Sequence, residues 1–102
     1  MKTQESPQVA AIRARYQSSL KDKTEMLAAH TAALVASKDN DLDITLEALR
    51  DDLHKLAGSS GMYGYEDISK VCRHAMRAID EENLEDLDQH LHEAQQLLKH
   101  HA

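Results

Sequence analysis

The chain has neither tryptophan nor phenylalanine, and three tyrosines are its whole aromatic complement. Rings therefore cannot fill a core, and the interior has to be aliphatic, drawn from Leu, Ile, Val, Met and Ala. Proline occurs once, as Pro7, so residues 8–102 lack the residue that most reliably ends a helix. Glycine occurs three times, where about seven would be usual for this length. The lone cysteine, Cys72, cannot close an internal disulfide, which suits a reducing cytoplasm. No run approaches the roughly eighteen apolar residues of a membrane span, and the opening MKTQESP lacks the apolar segment of a secretory leader. Positive charge is also short: 12 Lys and Arg against 18 Asp and Glu leave a net charge of −6. That is the wrong sign for general binding to a phosphate backbone, so nucleic acid is not an expected partner.

What remains favours helices. Ala, Leu, Glu, Lys and Gln dominate, and apolar (41%) and charged (29%) residues are interspersed as in a folded chain of one domain. Ser6-Pro7 reads as an N-cap with proline at the first helical position, and Val9, Ile12, Tyr16 and Leu20 recur at helical spacing. Ser18, Ser19 and the S-x-x-D run from Ser19 to Asp22 predict a break and a fresh start; the alternative is one helix from Pro7 to about Ser37. A second helix would turn Met26, Leu27, Leu34 and Val35 inward. Lys38-Asp39-Asn40-Asp41 is the clearest loop. Asp43 can cap a third helix with the stripe Leu46, Leu49, Leu53 and Leu56, ended by Gly64. A fourth buries Ile68, Val71, Cys72, Ala75, Met76 and Ile79. Asn83 caps a fifth with the stripe Leu84, Leu87, Leu91, Ala94 and Leu98; its acidic first turn and basic last turn both suit the helix dipole. The expected fold is all-α: helices over about 7–18, 20–37, 43–62, 65–80 and 84–100 after a flexible tail at 1–6. That is an antiparallel four-helix bundle with a short additional N-terminal helix.

All three glycines fall in HKLAGSSGMYG, residues 54–64, behind His54. On a helix the surface neighbours of His54 over the following turns are Ala57, Gly58 and Gly61, so the imidazole looks across a patch almost bare of side chains. Interior glycine costs a helix about 1 kcal/mol against alanine, so a pair of them calls for a reason. One reason is a nucleophile kept open to another protein and to a tetrahedral phosphoryl group, with Lys55 adding local positive charge. The other is a close helix–helix crossing at Gly58 and Gly61.

The run His54-Lys55-Leu56-Ala57-Gly58-Ser59-Ser60, with Gly64 ten residues after the histidine, resembles the histidine-containing phosphotransfer (HPt) domain family. Members usually read His-x-Leu-Lys-Gly-Ser-Ala or Ser, with a glycine a few residues on. The likeness extends to the helical architecture from about Val9 to Leu98. It implies a stand-alone shuttle of a two-component phosphorelay, in which His54 is the phosphoacceptor. His54 would take a phosphoryl group from a receiver-domain aspartate and pass it to another receiver. Gly58 would be the residue that keeps the imidazole accessible and Ser59 the small hydroxyl residue after it. Lys55, Ala57, Gly58, Ser59 and Gly61 would form the phosphoryl environment and docking patch. Two positions depart from the family: its lysine is replaced by Ala57, leaving Lys55 as a substitute charge, and the glutamate common on the following helix falls at Met76. The implied partners are response-regulator receiver domains and a hybrid histidine kinase. Mg2+ is expected on the receiver, and no cofactor on this chain. A cytoplasmic monomer is expected. With no G-x-x-x-x-G-K-[ST] and no G-x-G-x-x-G run there is no seat for ATP, hence a carrier and not a kinase. The reading from another class is a helical adaptor that binds a kinase or receiver without being phosphorylated; the two differ at His54.

The remaining chemistry-bearing residues read more plainly. Lys70, Arg73 and Arg77 recur at i, i+3 and i+7, as the wet face of a helix or as a greeting to an acidic receiver surface. His30 reads as a boundary histidine and Cys72 as a core residue. His90 and His92, each with an aspartate at i−4, point different ways round one helix, and no Glu-x-x-His pair occurs, so no metal is expected. His100 and His101 read as a frayed, solvated end.

Overall fold

The computed structural model describes residues 6–38 and 40–102. They form four helices: α1 (Pro7–Ala36), α2 (Leu42–Met62), α3 (Glu66–Asp80) and α4 (Leu84–His101). The short connections make neighbours in sequence neighbours in space. α2 packs on α3 and α3 on α4, and α1 closes the ring against α4; the seam between α1 and α2 is the thinnest. The core is aliphatic, centred on Leu20, Leu27, Leu49, Leu53, Leu56, Ile68, Leu87, Leu91 and Leu98, each at most 2% exposed. Val71, Cys72, Ala75, Ala78 and Ala94 fill between them.

The break expected at Ser18–Ser19 does not occur, and with it goes the separate N-terminal helix: α1 is a single 30-residue helix. The serines that read as a start signal turn their hydroxyls onto the helix's own carbonyls. Ser18 donates to the Ala14 carbonyl at 3.0 Å and Ser19 to that of Tyr16 at 2.6 Å, so neither competes for backbone N–H groups as a cap would. Tyr16 and Leu20, buried on either side of Ser19, hold the segment on the core. Ser6 caps α1, its hydroxyl accepting from the Val9 N–H at 3.2 Å with Pro7 in the first turn. The rest of the tail expected at 1–6, and Asp39 of the expected loop, lie outside the described residues. α2 begins at Leu42, so Asp43 sits inside the first turn instead of capping it, where its charge still complements the dipole.

Some residues expected inside lie outside. Val9 and Ile12 are nearly half exposed, because α1 is about 45 Å long and outruns its shorter partners. Val35 (84% exposed) and Leu84 (47%) stand at the rim of a shallow apolar depression with Leu34, Leu42 and Leu87. At the opposite end the three tyrosines converge: Tyr16 stacks on Tyr63 at 4.3 Å between ring centres and meets Tyr65 at 5.8 Å. His101, expected to fray, is docked there. Its ring meets Tyr65 edge-on, and its Nε2 lies 2.8 Å from an Asp67 carboxylate oxygen.

Both tight turns use the same C-terminal motif. After α2, the Tyr65 N–H donates to the Ser60 carbonyl (2.8 Å) and the Gly64 N–H to that of Gly61 (3.2 Å), with Gly64 at φ +88°. After α3, the Asn83 N–H donates to the Ala78 carbonyl (2.9 Å) and the Glu82 N–H to that of Ile79 (3.0 Å), with Glu82 at φ +57°. Each is a Schellman arrangement, whose pivot residue is left-handed; glycine takes that conformation freely and glutamate does not. Asn83 then caps α4, its side-chain oxygen accepting from the Asp86 N–H at 3.1 Å.

Urea unfolding should therefore show Gly64→Ala destabilised by about 1–2 kcal/mol although nothing crowds its Cβ position. Glu82→Gly should be stabilised by up to about 1 kcal/mol. Burial pushes the Cys72 thiol up to about 12. Since the thiolate is the reactive species, a thiol reagent at pH 8 should label Cys72 only as fast as the protein unfolds.

Candidate functional site

Four faces of α2 have four neighbours. Leu49, Leu53 and Leu56 face the core. Asp52 and Ser59 face α1: the Asp52 carboxylate lies 2.6 Å from His30 Nε2, and Ser59 Oγ lies 2.8 Å from the Tyr16 hydroxyl. Arg50, Ala57 and Gly61 face α3. The fourth face, carrying His54 and Gly58, looks outward and is exposed.

His54 makes no hydrogen bond, ion pair or ring contact with any described residue. One turn on, a Cβ built at Gly58 would meet nothing within 4 Å. The imidazole thus stands over open space, and a second surface can approach its nitrogen without displacing a side chain.

Gly61 is a different case. A Cβ there would come within 3.2 Å of Ser69 Oγ on α3. That hydroxyl is committed, donating to the Ala57 carbonyl at 2.8 Å and accepting from Arg73 Nη1 at 2.6 Å, so it has little freedom to retreat. Ala57 itself is buried against α3 at 8% exposure. The two explanations open for the glycine pair therefore divide between them: Gly58 is open surface, and Gly61 is a close helix crossing. Beside it, buried Ser60 donates to the Leu56 carbonyl at 2.6 Å, so the polar atoms of this contact are satisfied within the backbone.

The other candidate residues disperse. Ser59 turns to α1, away from His54. Lys55 lines the groove along the α1–α2 seam with Lys23, Met26, Asp52, Leu56 and Ser59. Lys23 is held there by Ser19 Oγ at 2.9 Å, its ammonium 4.8 Å from the centre of the Tyr16 ring; burial pushes the Tyr16 phenol up. On the α3 side, Arg50 grips Asp80 through two hydrogen bonds of 2.9 Å, which hold the Asp80 carboxyl below the usual carboxylate range. Met76, where the resemblance would put a carboxylate, is partly buried against the core. Among the described residues no group of three or more His, Cys, Asp and Glu side chains is placed to hold a metal ion. His90 meets His74 edge-on at 5.4 Å, and His92 bonds the Asp88 carbonyl.

Sequence reasoning did not find three contacts around the site: the His30–Asp52 pair, the Tyr16–Ser59 bond and the Ser69 bridge. Each joins residues on different helices, so no local spacing could announce it.

A family model described as the Hpt domain matches residues 11–100. No curated protein and no solved structure matches the chain at a significant level.

The division between the two glycines is measurable. Gly58→Ala should stabilise the protein by about 1 kcal/mol, as alanine does in an uncrowded helix. Gly61→Ala should lower stability despite the same propensity gain, because Ser69 must give way. Paired urea titrations decide it; equal shifts would mean that the α2–α3 spacing is loose.

Proposed function

This chain belongs to the Hpt domain family, which performs histidine phosphotransfer in phosphorelays, and on that premise we propose that His54 is the phosphoryl carrier. The observation that carries this reading is the exposed, unpartnered imidazole beside a glycine with empty space above it. Imidazole is the side chain whose nucleophilic free base is abundant near neutral pH.

The step is simple in its balance. The lone pair of Nε2, the ring nitrogen farther from the backbone, attacks the phosphorus of an aspartyl phosphate on the partner. The N–P bond forms as the aspartyl O–P bond breaks, the carboxylate leaves, and the imidazole releases its remaining ring proton to water. A second receiver's aspartate reverses the sequence. Such transfers ask little of the protein beyond positioning and charge stabilisation, and an open face on a rigid helix supplies the first.

Hpt domains work with response-regulator receivers, so a receiver domain is the partner class. In this reading a hybrid histidine kinase stands upstream, the Mg2+ ion belongs to the receiver, and the carrier acts by itself as a cytoplasmic monomer. A single buried cysteine, with no second one to pair with, suits that compartment. No helix among the described residues is long and apolar enough to cross a membrane.

The test is phosphoryl transfer from a panel of phosphorylated receiver domains, with wild type beside His54→Gln. Wild type should acquire an acid-labile, base-stable label, as a phosphoramidate is, and the variant none. If neither takes label while both bind a receiver equally, the protein is an adaptor.

A further inference from the structure

A phosphoryl group on His54 would bring a charge of up to about −2 onto a face of α2 with no free cation. One turn back, Arg50 is bound to Asp80 through two of its donors, and Asp51 is acidic. One turn on stand Ala57 and Gly58. Lys55 lies about 100° round the helix, in the groove against α1. Besides Lys55, a charge can reach this face from α3, across the helix crossing.

Two contacts set the register of α3 against α2. Ser69 sits at Ala57 and Gly61, and Asp80 sits at Arg50. The two helices run antiparallel, so the residues of α3 between these points on the same side, Arg73 and Met76, pass alongside 53–57. Met76 is apolar and partly buried. Arg73 is exposed; its Nη1 donates to Ser69 Oγ, the hydroxyl that itself donates to the Ala57 carbonyl. No carboxylate pairs with this guanidinium among the described residues, and its other donors are unused. Its guanidinium head is anchored at Ser69, where α3 crosses Ala57 and Gly61, and among the described residues no carboxylate neutralises it.

The geometry points to Arg73 as the phosphoryl-binding cation of the site, contributed by α3 across the crossing. This assignment rests on the proposal that His54 is the acceptor. On the flank of α2 that faces α3, the residue one turn on from His54 is Ala57, which contributes only a methyl group. Guanidinium also suits the task, because its planar fork offers two parallel donors to phosphoryl oxygens.

The test uses the whole chain phosphorylated with potassium phosphoramidate. There the donor P–N bond breaks, ammonia leaves with a proton, and the phosphorus passes to the imidazole. Phosphorus NMR against pH then reads the last ionisation of the phosphoryl group in wild type, Arg73→Gln, Arg73→Lys, Lys55→Gln and His54→Gln. A cation at hydrogen-bond distance favours the dianion, so Arg73→Gln should raise that ionisation by about half a unit or more, and Arg73→Lys should restore most of the difference. Transfer from the receiver that labels wild type fastest should slow about three- to tenfold in Arg73→Gln. A merely structural role for the Ser69 contact would change the unfolding midpoint without moving the titration, and that outcome overturns the assignment. So does a titration that moves in Lys55→Gln and not in Arg73→Gln. Label on His54→Gln equal to that on wild type removes the acceptor itself, a failure recognisable apart from the other two.

Discussion

The separation of α2 and α3 at Ala57, Gly61 and Ser69 is the constraint from which the rest of the site follows. Ser69 Oγ stands 3.2 Å from where a Gly61 side chain would begin and is fixed by bonds to the Ala57 carbonyl and the Arg73 guanidinium. A larger residue at Gly61 would push the helices apart. The outward face of α2 would then rotate, and His54 with it. Interiors are close-packed and transmit such shifts instead of absorbing them, so the placement of an exposed nucleophile depends on a buried contact two turns away.

The opposite flank of α2 is held by other means. The α1–α2 seam has the fewest close approaches of any helix pair in contact, and polar ties mark its length: Ser37 to Thr45 at 3.0 Å, His30 to Asp52 at 2.6 Å and Tyr16 to Ser59 at 2.8 Å. Half-buried hydrogen bonds of this kind are each worth about 1 kcal/mol net, well below a fully buried leucine. α2 is thus tightly set against α3 and more lightly tied to α1. The side that positions His54 is the rigid one.

Much of this was legible in the sequence, for reasons that also explain the failures. The all-helical fold follows from periodic apolar residues and an almost complete lack of proline, and the caps at Ser6 and Asn83 declare themselves by residue type. The break expected at Ser18–Ser19 misled because a serine hydroxyl serves equally as an N-cap or as a donor to its own helix. Only the burial of Tyr16 and Leu20 decides between them, and burial is a property of the assembled bundle. At the site, His54 and Gly58 could be placed on one exposed face by helical arithmetic alone. The same arithmetic put Gly61 with them and missed its neighbour, because Ser69 arrives from another helix. Periodicity reports which way a residue points and says nothing of what stands opposite.

One further consequence belongs to the tyrosines. Tyr16, Tyr63 and Tyr65 are the only strong near-ultraviolet chromophores the chain has, and all three meet at one end of the bundle beside His101. Intrinsic fluorescence and near-ultraviolet dichroism of this protein are therefore a local instrument. They watch the docking of α1 and the end of α4 onto the turn after α2, and are blind to the far end where Val35 and Leu84 lie. A thermal melt followed optically and one followed by amide exchange need not coincide, and any gap between them would map which end of the molecule opens first.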